Sequence, residues 1–116
     1  MKKYEVKTMS YCKMPYKNIS PSRARKLLKH DPNILLIDVR SPKEYMEAHI
    51  PGSVNIPIEF LEWEICNLQL SPFIPIMVYC KTGLRATSAA WLLISLGFIT
   101  VYNLGGIDRW PYRLEG

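Results

Sequence analysis

The sequence predicts an α/β domain built on a mostly parallel sheet. Short apolar segments alternate with helical patterns along most of the 116 residues, as in parallel α/β proteins. The apolar run Ile34–Ile37 is continuous rather than alternating, which is typical of a strand covered on both faces. Hydrophobic residues make up 48% of the chain and charged residues 22%, as in an ordinary globular protein. We therefore expect one domain with its strands at the centre.

The first half of the chain contains two helix starts with the same signal. Ser20–Pro21 and Ser41–Pro42 each place a capping hydroxyl before a proline at the first helical position. The first helix ends near His30, and the second covers 43–48. The segment before them, 1–18, has no clear period, so we interpret it as an N-terminal arm or an edge strand and assign 19–116 to the domain.

The middle of the chain begins with a turn signal. Proline followed by glycine in Ile50–Ser53 matches a type II turn. A very short strand over 53–56 and an amphipathic helix from Ile58 to about Leu68 are expected to follow.

The second half contains the strand that we expect to carry the chemistry. Ile76–Tyr79 is the predicted strand, Cys80–Arg85 the loop, and Ala86–Leu96 the longest helix, with Gly97 as its C′ residue. A further strand is expected over Phe98–Tyr102. It is followed by a loop over 103–106 and a helical turn over 107–110.

Charge and hydropathy exclude two classes of partner. The net charge is +5, and the densest basic cluster, Arg23–Lys26, lies on the first predicted helix without interleaved aromatic residues. Such a cluster is usually a solvated helix face, so we expect no nucleic-acid partner. The longest apolar window, Ala89–Ile99, is too short to span a bilayer, so we expect no membrane partner.

The cysteine pattern argues against a disulfide framework and against a metal site. Cys12, Cys66 and Cys80 form no CxxC pair, and the odd count favours a reducing compartment. With two histidines, zinc-ligand spacing is absent. No apolar segment follows the two N-terminal lysines, so we expect no signal peptide, a cytoplasmic location and no cofactor.

Cys80 is the candidate nucleophile because it stands where a strand ends and a helix begins. Ligands of open α/β sheets bind at the carboxyl ends of the strands, and the positive end of the next helix favours a thiolate. We interpret Cys66 as a buried, inert cysteine and Cys12 as a bystander. The alternative for Cys12 is a resolving thiol that collects the sulfur as a disulfide.

Four segments resemble, in order and spacing, the rhodanese domain family. They are Asp38–Tyr45 (DVRSPKEY), His49–Pro57 (HIPGSVNIP), Val78–Arg85 (VYCKTGLR) and Leu104–Trp110 (LGGIDRW). The resemblance covers the chain from about Ile19 to Trp110. It implies a single rhodanese domain, with helices on both faces of a central parallel sheet, and sulfurtransferase activity through a cysteine persulfide.

A persulfide chemistry assigns roles to the whole loop. The thiolate of Cys80 would attack the outer sulfur of an anionic donor such as thiosulfate, and a thiol or other thiophilic acceptor would then remove it. The backbone N–H groups of the next five residues would form an anion nest around the sulfur. These substrate-binding candidates are Lys81, Thr82, Gly83, Leu84 and Arg85, with further positive charge from Lys81 and Arg85.

Two residues outside the loop have alternative interpretations. Arg40 could bind the anion, or with Asp38 it could form ion pairs that fix neighbouring loops, and we favour the second role. His49 is a weak candidate for a general base, and a structural hydrogen bond suits its position better. We also expect Gly105 and Gly106 to allow close backbone approach near the site.

Two rival functions stay open. A phosphatase or arsenate reductase is one, because relatives of this fold place a cysteine and an arginine at the ends of an anion-binding loop. Four residues separate Cys80 from Arg85, which resembles the sulfurtransferase loop rather than the phosphatase loop with one residue more. The other is a non-catalytic binding or regulatory module. Thiosulfate, a polysulfide, glutathione persulfide and a protein persulfide partner all fit as donors.

Overall fold

A computed structural model describes residues 15–116 and shows a five-stranded, fully parallel sheet in the order β1-β5-β4-β2-β3. The strands are β1 (Lys17–Asn18), β2 (Leu35–Asp38), β3 (Val54–Asn55), β4 (Ile76–Cys80) and β5 (Val101–Gly106). The helices are α1 (Pro21–His30), α2 (Pro42–Glu47), α3 (Leu61–Leu68) and α4 (Leu84–Ser95), with 3₁₀ turns at Ile58–Phe60 and Ile107–Arg109. The predicted α/β class and parallel sheet are confirmed.

Two hydrophobic clusters cover the two faces of the sheet. On one face, Ala24 and its neighbours on α1 pack against Met77 and Tyr79 of β4. On the other, α3 and α4 bring side chains such as Ile65 and Leu93 against β2 and β4. Every residue of β4 is buried, as expected for a central strand covered by helices on both sides.

The predicted caps and turn form as expected. Ser20 accepts a hydrogen bond from the backbone N–H of Arg23, and Ser41 accepts one from Glu44. The Glu44 carboxylate in turn accepts a hydrogen bond from the Ser41 backbone N–H, which completes a capping box. Gly52 has a φ of +85°, as the type II turn requires.

The boundaries around α4 and β5 differ from the prediction. The helix begins at Leu84 rather than Ala86, and β5 begins at Val101 rather than Phe98. Phe98 still belongs to the end of α4, because Gly97 at φ +103° lets the Phe98 N–H reach the carbonyl of Leu93.

The expected loop over 103–106 forms the last four of the six residues of β5. Its pairing continues from Tyr79 opposite Gly105 to Cys80 opposite Gly106, after a register shift at Leu104. A β-bulge therefore accommodates the glycines inside the strand, where the sequence indicated a loop.

The apolar stripe of α3 is shorter than predicted. Leu61 and Ile65 are buried, whereas Leu68, Trp63 and Cys66 are exposed. Ile58 still packs against the core, so the predicted stripe holds up to Ile65 and fails at Leu68, which is the last residue of the helix. The interpretation of Cys66 as a buried cysteine is wrong.

The N-terminal segment is described only in part. Lys17–Asn18 form an edge strand beside β5, with Lys17 opposite Tyr102. The rest of the predicted arm up to residue 14, with Cys12, lies outside the described residues. Within 15–116, no helix has the length and apolar character needed to cross a membrane.

Candidate functional site

Cys80 is the last residue of β4, and its sulfur lies inside the turn that leads into α4. The residue is 1% exposed. Its Sγ accepts a hydrogen bond from the backbone N–H of Gly83 at 3.0 Å and from that of Ala86 at 3.2 Å. The sulfur is therefore held by two backbone donors at the start of a helix.

The sulfur takes the place of a helix cap. Gly83 is the N-cap of α4 and has no side chain to accept the free N–H groups of the first turn. Ala86 stands at the third helical position, which a capping oxygen would normally satisfy. Because Cys80 Sγ accepts that N–H instead, the helix end and the nucleophile share one hydrogen bond.

Two glycines permit the tight course of the chain here. Gly83 has a φ of +113°, a conformation that side-chain-bearing residues rarely adopt. Gly106 lies directly under the loop, where a Cβ would come within 2.9 Å of Thr82 Cα. The expected close approach near the site is therefore observed at Gly106.

The five residues of the predicted anion nest differ in whether their backbone N–H groups reach the sulfur. Gly83 alone of the five donates its backbone N–H to the sulfur, while Lys81 and Thr82 are exposed at the rim and Leu84 is 82% exposed. The prediction missed the second donor, Ala86, because it began the helix at that residue. The missed signal was Gly83, since a glycine N-cap places residue 86 among the free first-turn donors.

Arg85, predicted to add positive charge for the anionic donor, pairs with Glu44 of α2. Its Nη1 and Nη2 donate to the two carboxylate oxygens at 2.9 and 3.1 Å. The hydrogen bond from Arg85, with those from Ser41, lowers the pKa of Glu44 from 4.5 to about 2. Glu44 in turn raises the pKa of Arg85. Glu44 is the link between the two strand-to-helix turns, and the sequence analysis did not identify it.

Arg40 has the contacts of a structural residue. It is buried, its Nη2 donates to Asp38 Oδ2 at 2.7 Å, and the same nitrogen donates to the Ala48 carbonyl at 2.6 Å. Burial lowers the pKa of Arg40, but the hydrogen bond and charge of Asp38 outweigh it, so the net shift is upward. These are the loop-fixing contacts that we favoured for Arg40.

His49 also has the contacts of its favoured structural role. Its Nδ1 lies 2.8 Å from the Tyr45 carbonyl oxygen, and its ring stacks on Tyr45 at 3.8 Å between centroids. Its backbone pairs with that of Glu115. These contacts tie the end of α2 to the C-terminal segment.

A cavity of about 370 Å³ opens on the flank of the Cys80 loop. It runs between the loop and the carboxyl end of β5, and Thr82, Thr87, Asn103 and Arg109 supply its polar groups. The Asn103 amide donates to Thr87 Oγ1 at 3.2 Å, which fixes that wall. The cavity can hold a small polar molecule next to the loop, with one guanidinium at its edge.

A parallel α/β domain that holds a cysteine sulfur on backbone N–H groups at a helix start is a protein built to stabilise negative charge on sulfur. Comparison with known proteins gives the family. Residues 20–111 match the model of the family described as rhodanese-like domain, so the chain belongs to the rhodanese-like domain family.

Relatives with names and solved structures support this assignment. The chain is 37% identical over 81 residues to protein YqhL of Bacillus subtilis, a match that covers 69% of this chain and 63% of that protein. It is 32% identical over 103 residues to thiosulfate sulfurtransferase GlpE of Pseudoalteromonas translucida, covering 84% and 90%. The solution structure of a polysulfide-sulfur transferase homodimer from Wolinella succinogenes aligns with a TM-score of 0.70 at 37% identity, covering 83% and 73%.

Proposed function

We propose that this protein is a sulfurtransferase that carries sulfur as a persulfide on Cys80. The Cys80 thiolate attacks the outer sulfur of an anionic donor such as thiosulfate, the S–S bond of the donor breaks, and sulfite leaves with the electron pair. A thiolate acceptor then attacks the outer sulfur of the persulfide, takes it as its own persulfide and releases the Cys80 thiolate.

The observation that carries this proposal is the pair of N–H donors on Cys80 Sγ. Negative charge sits on this sulfur before the first attack and after the second, and the Gly83 and Ala86 N–H groups stabilise it without a separate base. A persulfide adds one atom at the same place, within reach of the remaining first-turn donors.

The surroundings of the loop fit small anionic substrates. Lys81 is exposed at the rim, and Arg109 lines the adjoining cavity. The names of two relatives, thiosulfate sulfurtransferase and polysulfide-sulfur transferase, are consistent with an anionic sulfane-sulfur donor. A thiol acceptor and a cytoplasmic location complete the proposal.

The geometry also favours sulfur transfer over phosphate ester hydrolysis. Both Nη groups of Arg85 donate to Glu44, so they are not free to bind the oxygens of a phosphoryl group, whereas attack on a sulfane sulfur does not require them. The short loop between Cys80 and Arg85 points the same way, since it leaves a narrow cradle.

The test is a mass spectrum of the intact protein after incubation with thiosulfate, followed by peptide mapping. We expect the mass of one added sulfur atom on Cys80, and removal of that sulfur by a thiol acceptor. Cys80→Ser should lower sulfane-sulfur transfer by at least about a thousandfold, as loss of a nucleophile does. Cys66→Ser is the matched control, because Cys66 is an exposed free thiol, and it should keep full activity.

Four outcomes would contradict the proposal. Sulfur that loads on Cys66 as readily as on Cys80 would show that any exposed thiol accepts it and that the Cys80 loop is not required. Activity that survives Cys80→Ser would exclude the persulfide. A protein that takes no sulfur from thiosulfate, polysulfide or glutathione persulfide would be the binding module, and faster turnover of a phosphate ester would make it a phosphatase.

A further inference from the structure

The sulfur-transfer site gives no role to the basic face of α1, and a second cavity lies against that face. The cavity measures about 340 Å³ and lies between α1, the turn after α2 and the C-terminal segment. It shares no lining residue with the cavity beside the Cys80 loop. Its volume lies at the lower end of the range of about 300–1,000 Å³ that small-molecule sites occupy.

Three basic side chains line this cavity, and none of them has a buried acidic partner among residues 15–116. Arg25 and Lys29 are one turn apart on α1, where like charges repel, and neither forms a salt bridge with a described residue. Arg113 pairs with Glu115 at 3.3 Å in an exposed contact. The cavity therefore has a surplus of positive charge that an anion would compensate.

The remaining wall is aromatic and apolar. Tyr112 and Trp110 meet edge to face with ring centroids 5.0 Å apart. The Arg25 guanidinium carbon lies 4.4 Å from the Tyr112 ring centroid, which holds this cation against the wall. Ile50 and Pro51 add apolar surface. A flat apolar group would find a complementary surface here, next to the positive charge.

Trp110 lines the cavity and carries a reporter group. Within residues 15–116, its indole Nε1 is the one buried side-chain nitrogen or oxygen that has no hydrogen-bond partner. Because this N–H is shielded from solvent, its NMR signal should respond to a molecule that packs against the Trp110 ring.

We propose that this cavity is a second binding site, separate from the sulfur-transfer site, for a small anion with a flat aromatic body, such as an aromatic carboxylate. The carboxylate would lie between the Arg25 and Lys29 side chains, and the ring would lie on the Trp110 side. The cavity is the size of one small ligand rather than of a peptide segment, and the basic residues do not form the extended stripe that a nucleic acid needs.

The experiment is a two-dimensional NMR titration of the full chain with 2-naphthoate. The three tryptophans give three indole N–H signals, so the chain contains its own controls. The Trp110 signal should shift with saturation, whereas those of Trp63 and Trp91, which are 68% and 46% exposed on other elements, should not. Equal shifts of all three signals would show non-specific stacking and overturn the proposal.

The charge requirement is tested with matched double variants on the same helix. R25Q/K29Q should weaken 2-naphthoate binding by at least about tenfold, because it removes two of the three basic side chains of the cavity, the two between which the carboxylate would lie. R23Q/K26Q removes the same net charge from α1 without touching a lining residue of this cavity, so its affinity should change by less than about threefold. Gln suits a helix, so both variants should keep the fold.

Three further results would overturn the proposal. Equal weakening by the two double variants would mean that the ligand responds only to overall charge. Binding of the neutral 2-naphthamide as tight as that of 2-naphthoate would mean that the basic side chains do not select an anion. An acidic peptide that shifts the Trp110 signal at lower concentration than 2-naphthoate would replace the small ligand by a protein segment.

Discussion

Two strand-to-helix connections leave the neighbouring strands β2 and β4 at the same edge of the sheet, and they satisfy the first turn of the next helix in different ways. After β2, Ser41 caps α2 with its own hydroxyl, and Glu44 completes the box. After β4, Gly83 offers no cap, and Cys80 Sγ accepts the N–H of Ala86 instead. The connection after β2 is capped by its own side chains, which fixes its structure. The connection after β4 uses the sulfur of Cys80, the candidate nucleophile, as the acceptor and so keeps that atom among backbone N–H donors.

The two connections also differ in how they hold charge. Asp38 and Arg40 form a fully buried pair, whereas the Glu44–Arg85 pair has side chains that are 26% and 38% exposed. Breaking a buried pair leaves an uncompensated buried charge and is costly, whereas solvent screens a partly exposed pair, so its loss changes the free energy of unfolding less. The Glu44–Arg85 pair joins the connection after β2 to the connection after β4.

The largest effect on stability is expected from the buried pair. Asp38→Asn removes the charge that faces Arg40 and should lower the free energy of unfolding by about 3–5 kcal/mol, because the guanidinium stays buried without its partner. Urea unfolding measures this. Glu115→Gln, which weakens the exposed pair with Arg113, should change it by less than about 1 kcal/mol. Similar losses in both variants would show that burial does not distinguish the pairs.

The next effect separates backbone strain from chemistry. Gly83→Ala forces alanine to a φ of +113°, with an expected loss of about 1–3 kcal/mol in stability. The nearest atom to the new Cβ is Gly105 Cα at 3.8 Å, so the cost comes from the backbone and not from a clash.

Gly97→Ala is the matched control, because Gly97 has a φ of +103° and no neighbour within 4 Å. Both variants should lose similar stability in thermal unfolding. Sulfur transfer should fall strongly in Gly83→Ala alone, since only that strain turns an N–H away from the Cys80 sulfur. Equal activity in the two variants would contradict the role of the Gly83 N–H.

The smallest effect on stability is expected at the Glu44–Arg85 pair, which links the two strand-to-helix connections. Arg85 lowers the pKa of Glu44 to about 2, so the pair stabilises the fold fully above the ordinary value of 4.5 and loses this contribution as pH falls towards 2. Glu44→Gln should flatten the acid side of the stability profile by less than about 1 kcal/mol. Glu47→Gln, at an exposed position on the same helix, should leave the profile unchanged. An unchanged profile in Glu44→Gln would show that the Glu44–Arg85 pair does not contribute to the pH dependence of stability.

Local signals explain which parts of the fold could be predicted. Ser20 and Ser41 with their prolines, the Pro51–Gly52 turn and the continuous run before Asp38 each have a physical meaning that is complete within a few residues. One error arose at a local helix-ending hydrogen bond, and the other where a contact across the sheet decides. Phe98 stays with α4 because its N–H closes that helix, and Gly105 enters β5 because it pairs across the sheet with Tyr79.

For the site, the sequence by itself determined the candidate nucleophile and its setting: Cys80 at the end of a buried strand, followed by a loop that Gly83 allows to turn sharply. It did so because strand ends and helix starts are local. Only the tertiary structure decided that Glu44, which follows β2, holds Arg85, which follows β4. Those partners are set by where two neighbouring strands end in space, and spacing along the chain does not contain that information.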